Sequence, residues 1–226
     1  MKCKAIIGAN KSWLGRLITY NYKSSEWYQI LKNLKLYDLS SRVLDIGSGN
    51  GELLKNFFNV GYKNLTGIDP YIEKDIIYNE RLRIEKKTVF DVNQKYDIII
   101  LNHSLEHMDH QQGTLSKTYS ILAKNGRLLI RIPIVSKPLM DKYGPNLVSL
   151  DTPRHFYIHS LKSICMLLEN CGFIIEKKSI MLMNFHFGEA NNIKKISAFI
   201  TIRRAIWLKR PSSLKQWPAL KKKLKN

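Results

Sequence analysis

Three glycines at alternate positions follow a short apolar stretch near residue 45. The stretch Val43–Ile46 has the composition of a buried strand, and Gly47, Gly49 and Gly51 come directly after it, before a helix-forming stretch. A glycine-rich turn between a strand and a helix lets the backbone come close to a nucleotide-like ligand. The end of this strand is therefore a candidate ligand site.

The spacing of the glycines distinguishes between two kinds of ligand. A dinucleotide site has the pattern G-x-G-x-x-G, whose third glycine lets the helix pack closely. Here Gly51 comes one position early, and Glu52 stands where a dinucleotide site has glycine or alanine. A carboxylate at that position would repel a pyrophosphate, whereas Asp45 at the strand end could hold an amino group. The pattern favours S-adenosylmethionine, which carries an ammonium and a sulfonium.

At this motif the chain resembles the class I S-adenosylmethionine-dependent methyltransferases, whose first motif is an acidic residue followed by G-x-G-x-G after a strand. Two later segments are similar to other motifs of that family. Leu105-Glu106-His107 matches an "LEH" motif that follows the fourth strand, and Leu122–Pro133 matches L-x-x-x-G-x-L-x-I-x-x-P at the fifth strand. The resemblance covers roughly residues 40 to 133.

Apolar runs predict the elements that must position these motifs. Leu65–Asp69 is predicted to be the second strand, and Tyr96–Leu101 a central strand buried on both faces. A helix is predicted from about Gly113 to Ala123, and Arg127–Pro133 is the next strand. The resemblance implies a Rossmann-like, doubly wound α/β sheet that is mostly parallel, with an antiparallel C-terminal strand.

The resemblance also implies which residues bind the cofactor. Asp69, at the end of the second strand, would accept hydrogen bonds from both ribose hydroxyls. Asp91 would contact the adenine amino group, at the end of a strand formed by residues 84 to 92. The implied cofactor-binding residues are Asp45, Gly47, Ser48, Gly49, Gly51, Asp69, Asp91 and Asn102.

The acceptor side of the predicted site contains several histidines. The segment Asp151–Ser160 resembles one that closes over the acceptor pocket in methyltransferases of sugars and related metabolites. A hydroxyl acceptor needs a base, and His155 is the first choice because imidazole is neutral and basic near pH 7. His107 and Glu106 are the next candidates for a catalytic role. The predicted substrate-binding residues are His103, Arg154 and Tyr157, of which the arginine could hold a phosphate or carboxylate.

A metal ion is an alternative use of the same histidines. His103 and His107 are four residues apart, and on a helix they would share a face near Glu106. Some ubiquinone-pathway O-methyltransferases carry a metal at a related acidic "LEH" motif, but this chain has His103 where they have an acid. We therefore expect a hydrogen-bonded pocket without a metal.

The chain is long enough for one substantial domain with additions at both ends. Its 226 residues divide into a cap or lid segment (1–23), a methyltransferase domain (24–190) and a basic amphipathic tail (191–226). The domain is expected to begin with an amphipathic helix at Ser24 or Ser25. A long acceptor loop is expected at about residues 134–159, because connections of this length are usually functional.

The charge of the chain is strongly positive. Its 37 basic and 18 acidic residues give a formal charge of +19, and nine basic residues with no acidic one follow from Arg203 onward. Such an excess favours an anionic partner. Tryptophan and aliphatic residues among these lysines would suit an anionic membrane surface, whereas a solvated basic end is the alternative. With no apolar run of about 18 residues, we expect a cytoplasmic protein, with peripheral contact to the inner membrane face.

The expected function is O-methylation of a hydroxyl on a saccharide or related metabolite, including lipid- or nucleotide-linked forms, in glycan biosynthesis. An RNA methyltransferase is an alternative because of the charge. The Asn/Asp-Pro-Pro-aromatic motif of base amino methylation is replaced here by Asn102-His103-Ser104-Leu105, which leaves ribose methylation open. A second alternative is a non-enzymatic basic adaptor on a degenerate fold, but Asp45, the three glycines and Asp69 are intact.

Overall fold

A computed structural model describes residues 30, 38–146, 150–151, 153–186 and 192–204. The predicted cap segment, the basic tail after Arg204, and the helix expected from Ser24 or Ser25, apart from Ile30, lie outside these residues. The described strands are β1 (Arg42–Ile46), β2 (Asn64–Ile68), β3 (Ile76–Asn79), β4 (Leu82–Glu85), β5 (Tyr96–Asn102), β6 (Leu122–Pro133), β7 (Phe173–His186) and β8 (Asn192–Arg204). The described helices are α1 (Glu52–Asn59), α2 (Gln111–Ile121), α3 (Lys137–Tyr143) and α4 (Leu161–Asn170).

All of these strands belong to one mixed sheet with the order β3-β4-β2-β1-β5-β6-β8-β7. The central pairs β4–β2, β2–β1, β1–β5 and β5–β6 are parallel, and β8 is antiparallel to both β6 and β7. A short antiparallel strand, β3, extends the opposite edge. The Rossmann-like fold with an antiparallel C-terminal strand is confirmed.

Two apolar cores lie on opposite faces of the sheet. Along β1 the side chains alternate, so that Val43 packs in one core and Leu44 in the other. The first core includes Leu54 and Phe57 of α1, and the second contains buried side chains of α2 and α4. Burial on both faces explains why the central strands are continuous apolar runs.

The region between β4 and β5 differs from the prediction. The strand expected to run to Asp91 ends at Glu85, and Val89–Asp91 is a 3-10 turn. The Asp91 carboxylate accepts hydrogen bonds from the backbone N–H (2.9 Å) and the hydroxyl (2.6 Å) of Thr88. This capping box ends the extended backbone, and so the predicted strand from 84 to 92 is wrong.

The segment expected to be an acceptor loop contains ordered elements. Lys137–Tyr143 forms α3, and Gly144–Asn146 follows it as a 3-10 turn. Further along, Ile134 and His159 form an isolated parallel bridge, and the Val135 N–H donates to the His159 carbonyl (2.9 Å). The two ends of the segment are therefore joined by backbone hydrogen bonds.

The domain extends beyond residue 190. β8 lies between β6 and β7, and its register pairs Ile200 with Ile130. Ile200 and Ile202 are fully buried. The expected boundary between domain and tail at residue 190 is therefore wrong, because these apolar residues, which resemble an interfacial segment in sequence, complete the sheet.

The positive charge is distributed unevenly along the chain. Residues 38–186 contain 19 basic and 16 acidic residues, so most of the +19 excess belongs to the stretches before and after them. Within the described part of the chain, no helix has the length and apolar character needed to cross a membrane.

Substitution of β8 core residues tests the corrected boundary. Ile200→Ala and Ile202→Ala should each lower the free energy of unfolding by about 2–5 kcal/mol, because each removes a fully buried side chain. Ile180→Ala is the matched control, since Ile180 on β7 is 57% exposed. Urea unfolding measures all three variants, and equal stability of the two β8 variants and wild type would contradict the placement of β8.

Candidate functional site

The three glycines of the turn after β1 adopt left-handed backbone conformations for different reasons. Their φ values are 76° at Gly47, 53° at Gly49 and 78° at Gly51. A Cβ on Gly47 would lie 2.5 Å from the Cβ of Ser104, and one on Gly51 would lie 2.5 Å from a methyl group of Ile84. A Cβ on Gly49 would meet no described atom within 4 Å. Only Gly49 therefore faces open space.

A cavity of about 470 Å³ lies at the carboxyl ends of the parallel strands. Ligands of open α/β sheets bind at this edge. The lining includes Ile46, Gly47, Gly49, Ile68, Asp69, Pro70, Tyr71, Lys87, Thr88, Val89, Phe90, His103, Ser104, His107, Met108, Asp109, His110, Thr114 and Phe156.

Asp69 stands at the end of β2 with its carboxylate fixed against the glycine turn. One oxygen accepts the Gly49 N–H (2.9 Å), and the other accepts the Tyr71 N–H (2.9 Å). A carboxylate oxygen can accept more than one hydrogen bond, so both oxygens retain capacity for ligand hydroxyls. The predicted position of Asp69 beside the glycine turn is thus present in the structure.

A second cavity of about 350 Å³ lies on the other side of the glycine turn. Gly47 and Gly49 line both cavities, so an extended ligand could cross the turn from one to the other. The remaining residues of the second lining are Asp45, Ser48, Glu52, Leu53, Asn56 and Asn102. Of the predicted cofactor residues, Gly51 and Asp91 are not among the described residues that line either cavity. Gly51 has no side chain and so allows Ile84 to pack closely against it, and the Asp91 carboxylate is hydrogen-bonded to Thr88.

The "LEH" motif forms a 3-10 turn after β5 that presents its histidine to the first cavity. Leu105 and Glu106 are fully buried, whereas His107 lines the cavity. His103 lies just before the turn at φ 52°, an uncommon conformation for a residue with a side chain. Its Nδ1 atom is 3.3 Å from Oε1 of Glu106. The two residues form an imidazole–carboxylate pair with the imidazole on the cavity wall.

Residues 154–157 are bonded to the same turn. The Phe156 N–H donates to the Glu106 carbonyl (2.9 Å), and the His107 Nδ1–H donates to the Arg154 carbonyl (2.8 Å). The Tyr157 hydroxyl donates to the Asp109 carbonyl (3.0 Å). These bonds hold the segment beside the cavity, where the Phe156 ring forms part of the wall.

The structure places His155 differently from the prediction. Its side chain is only 2% exposed, and its ring centroid is 4.9 Å from that of His107. His155 is not among the described residues that line the first cavity, and neither are Arg154 and Tyr157. The Arg154 guanidinium instead pairs with Asp151 at 2.8 Å. The prediction that His155 covers the acceptor pocket is wrong, because the segment turns this imidazole inward and presents Phe156.

A buried network connects the "LEH" turn to α4. The Gln111 side-chain amide donates to the Leu105 carbonyl (2.7 Å), and the Gln111 side-chain oxygen is 2.8 Å from Nε2 of His159. Nδ1 of His159 is 3.1 Å from the Ser163 hydroxyl. Burial lowers the pKa of His159, so the neutral imidazole that this network needs is favoured.

Several residues of the site were not predicted from the sequence. The Ser104 hydroxyl donates to the Ile46 carbonyl (2.6 Å) and fills the space beside Gly47. Gly67 on β2 allows close approach of the Ser48 side chain. Tyr71, Phe90, Met108 and Phe156 supply apolar walls. In the sequence, the small size of Ser104 and Gly67 close to the motifs was the signal that could have identified these two residues.

Comparison with known families identifies the family of this chain. A family described as a methyltransferase domain matches residues 21–178. The chain belongs to this family. It is a class I S-adenosylmethionine-dependent methyltransferase, and the two cavities that share Gly47 and Gly49 are the candidate site for that cofactor and its acceptor.

Solved protein structures share the fold. The YcgJ protein from Bacillus subtilis has a TM-score of 0.61 and 16% identity, and covers 79% of this chain and 98% of its own. A putative methyltransferase from Bacillus halodurans has a TM-score of 0.63 and 13% identity, with 80% and 99% covered. The 1,6-didemethyltoxoflavin-N1-methyltransferase from Burkholderia thailandensis, with bound S-adenosylhomocysteine, has a TM-score of 0.57 and 17% identity, with 79% and 76% covered. At these identities the likeness shows the fold.

A curated relative is the tRNA U34 carboxymethyltransferase of Dichelobacter nodosus. It is 22% identical over 165 residues, which are 67% of this chain and 53% of the relative. This chain therefore spans about half the length of that relative.

Two aspartates provide a matched test of the cofactor site. Asp69→Ala should weaken S-adenosylmethionine binding by roughly 10- to 100-fold, since hydrogen bonds to a charged group contribute about 1.5–3 kcal/mol. Asp91→Ala should leave the dissociation constant nearly unchanged, because that carboxylate is bonded to Thr88. Titration calorimetry of both variants provides the measurement, and a larger loss in Asp91→Ala would restore the adenine role predicted from the sequence.

Alanine substitutions at Gly47 and Gly49 distinguish a role in packing from a role in ligand binding. Gly47→Ala should lower the melting temperature markedly, because the new Cβ overlaps Ser104. Gly49→Ala should cost only about 1–2 kcal/mol of backbone strain, yet weaken cofactor binding because its Cβ enters the open space of the site. Thermal unfolding and cofactor titration distinguish them, and tight binding by Gly49→Ala would place the cofactor away from this glycine.

Proposed function

We propose that this methyltransferase transfers the methyl group of S-adenosylmethionine to a hydroxyl oxygen of a saccharide or related metabolite, including lipid- or nucleotide-linked forms. The observation that carries the proposal is a shared cavity. His103 and His107 line the same cavity as Gly49 and Asp69, so the imidazoles stand beside the candidate cofactor site. A hydroxyl acceptor needs such a base, whereas a sulfonium methyl group needs mainly alignment.

The cofactor would cross the glycine turn. Asp69 would accept the ribose hydroxyls in the first cavity, where Val89 and Phe90 supply apolar surface for the adenine ring. The methionine part would lie in the second cavity, near the buried carboxylate of Asp45 and the side chain of Asn102. In this placement the methyl group would lie near Gly47 and Gly49, and His103 and His107 line the first of the two cavities.

His103 is the proposed base in place of His155. Glu106 is fully buried behind it, with a carboxylate oxygen 3.3 Å from Nδ1 of His103. A carboxylate so placed can accept the Nδ1–H, which orients the imidazole so that Nε2 can take the hydroxyl proton. The acceptor oxygen would form a bond to the methyl carbon as the carbon–sulfur bond breaks. The sulfur retains that electron pair, which gives S-adenosylhomocysteine, and the hydroxyl proton passes to His103.

The walls of the cavity favour a small acceptor with an apolar face. Tyr71, Phe90, Met108 and Phe156 border the same space as the two histidines. Aromatic side chains pack against the flat faces of rings, including the C–H face of a sugar. A cavity of about 470 Å³ that also receives the adenosine leaves room for a metabolite-sized acceptor. These features support a role in glycan biosynthesis.

RNA methylation is the alternative function. The net charge of +19 and the name of the Dichelobacter nodosus relative, a tRNA U34 carboxymethyltransferase, favour it. Residues 38–186 are close to neutral, so the electrostatic attraction to RNA would have to come from the two basic stretches outside them. The proposal also retains the expected cytoplasmic location and a peripheral contact of the basic tail with anionic membrane lipid.

A labelled-methyl screen tests the choice of acceptor. Purified protein is incubated with labelled S-adenosylmethionine and either sugar nucleotides, lipid-linked saccharides or tRNA. Label on a saccharide oxygen, located by mass spectrometry, supports the proposal. Label in tRNA with none in the saccharides would replace it with the RNA alternative.

Substitution of His103 tests the base. His103→Asn suits the left-handed backbone at this position and should retain cofactor affinity while turnover falls by roughly 10²- to 10⁴-fold. Turnover of the acceptor found in the screen and the cofactor dissociation constant are measured on the same preparation. Wild-type turnover would exclude His103 as the base.

A further inference from the structure

A compact group of potential metal ligands lies behind the wall of the first cavity. One ligand atom each of Glu106, His107 and His155 lie within 4.8 Å of one another. Glu106 and His155 are buried, while His107 reaches the cavity. We propose that these three side chains bind a divalent first-row transition metal ion, with Zn²⁺ as the reference ion.

The carboxylate of Glu106 is the strongest support for a cation. The residue is fully buried, and one of its oxygens lies 3.3 Å from His103. The other oxygen, Oε2, is buried without a hydrogen-bond partner among the described residues. A buried carboxylate oxygen without a partner is costly, and a bound cation would remove that cost.

The imidazole of His107 is oriented as in a metal site. Its Nδ1–H donates to the Arg154 carbonyl at 2.8 Å, which leaves Nε2 with the lone pair. Metal-bound histidines usually donate their other ring N–H to a carbonyl or a carboxylate, which fixes the tautomer and the ring orientation. The Arg154 carbonyl therefore supports His107 as a ligand.

His155 completes the group from a different segment of the chain. Its ring centroid lies 4.9 Å from that of His107, and its Nε2 lies 3.7 Å from a carboxylate oxygen of Asp151. The Asp151 carboxylate adds a second negative charge near the cluster. His155 is thus buried beside two carboxylates and a second imidazole.

Two imidazoles and one carboxylate form a ligand set that suits Zn²⁺, Co²⁺, Fe²⁺ or Mn²⁺. Ligand atoms around Zn²⁺ are about 3.3 Å apart, given bonds of about 2.0–2.1 Å in a tetrahedron, so the three ligand atoms, which lie within 4.8 Å of one another, would have to move closer together on binding. Of the three proposed ligands, His107 is the one that lines the cavity, so an open coordination position would lie on its side of the cluster. An acceptor oxygen bound there would lose its proton more readily, which deepens the proposed function.

This ligand set differs from the one that the sequence suggested. The spacing of His103 and His107 indicated that these two histidines would share a site with Glu106, and we expected no metal there. In the structure His103 pairs with Glu106 from the cavity side, and His155 occupies the third place around the cluster. Glu106 thus lies between the proposed base and the proposed metal.

Metal titration of the full chain tests the site. After treatment with chelator and its removal, wild-type protein is titrated with ZnCl₂ by calorimetry and with CoCl₂ by visible absorption. One ion per chain is expected, with a cobalt spectrum typical of nitrogen and oxygen ligands. Glu106→Gln and His155→Gln should each weaken Zn²⁺ binding at least 10-fold. His110→Gln, a cavity histidine outside the cluster, should bind Zn²⁺ like wild type.

Circular dichroism and cofactor titration check that each variant is folded. Absence of stoichiometric Zn²⁺ and Co²⁺ binding by folded wild-type protein would overturn the proposal. Wild-type affinity in both folded ligand variants, or a loss of affinity only in His110→Gln, would overturn it as well. Undiminished methyl transfer by metal-free protein would remove the acceptor role of the metal and leave the methyltransferase function intact. One bound ion without methylation of any saccharide would support the site and contradict the proposed acceptor.

Discussion

The contact between Gly47 and Ser104 is the constraint on which the rest of the site depends. Ser104 follows β5, and its hydroxyl bonds to the Ile46 carbonyl at the end of β1. The space that a side chain at position 47 would fill is occupied by Ser104 itself. The glycine turn at the candidate cofactor site and the strand end that carries the histidines are therefore packed closely together, with the Ser104 side chain between them.

Glu106 has a similar organising role on the acceptor side. Its carbonyl accepts the Phe156 N–H, and its carboxylate lies beside His103 and within the group formed with His107 and His155. A fully buried carboxylate is rarely kept without partners, because its desolvation is costly. The His103 imidazole compensates part of this cost, and the same arrangement holds that imidazole on the cavity wall.

Local sequence patterns predicted the glycine turn after β1 and the position of Asp69 beside it. The alternate glycines after an apolar strand imply left-handed backbone at Gly47, Gly49 and Gly51, and all three have it. Asp69 follows β2 and bonds to the Gly49 N–H, as expected for a residue beside the turn. The strand predicted to end at Asp91 is wrong because a local capping box with Thr88 forms there instead of extended backbone. Sequence periodicity over so few residues does not distinguish the two structures. The predicted boundary between domain and tail at residue 190 is wrong because β8 pairs with β6, which is far away in the sequence.

The sequence by itself determined the fold class and the cofactor turn, because both depend on short-range properties: apolar runs that must be buried and glycines that alone suit the backbone. Only the tertiary structure decided which imidazoles line the cavity. The sequence favoured His155 as the base and placed His103 among the substrate-binding residues, but hydrogen bonds between residues 154–157 and the "LEH" turn direct His155 inward, whereas His103 lines the cavity. The direction of a side chain in an irregular segment depends on such distant contacts, which residue spacing does not encode.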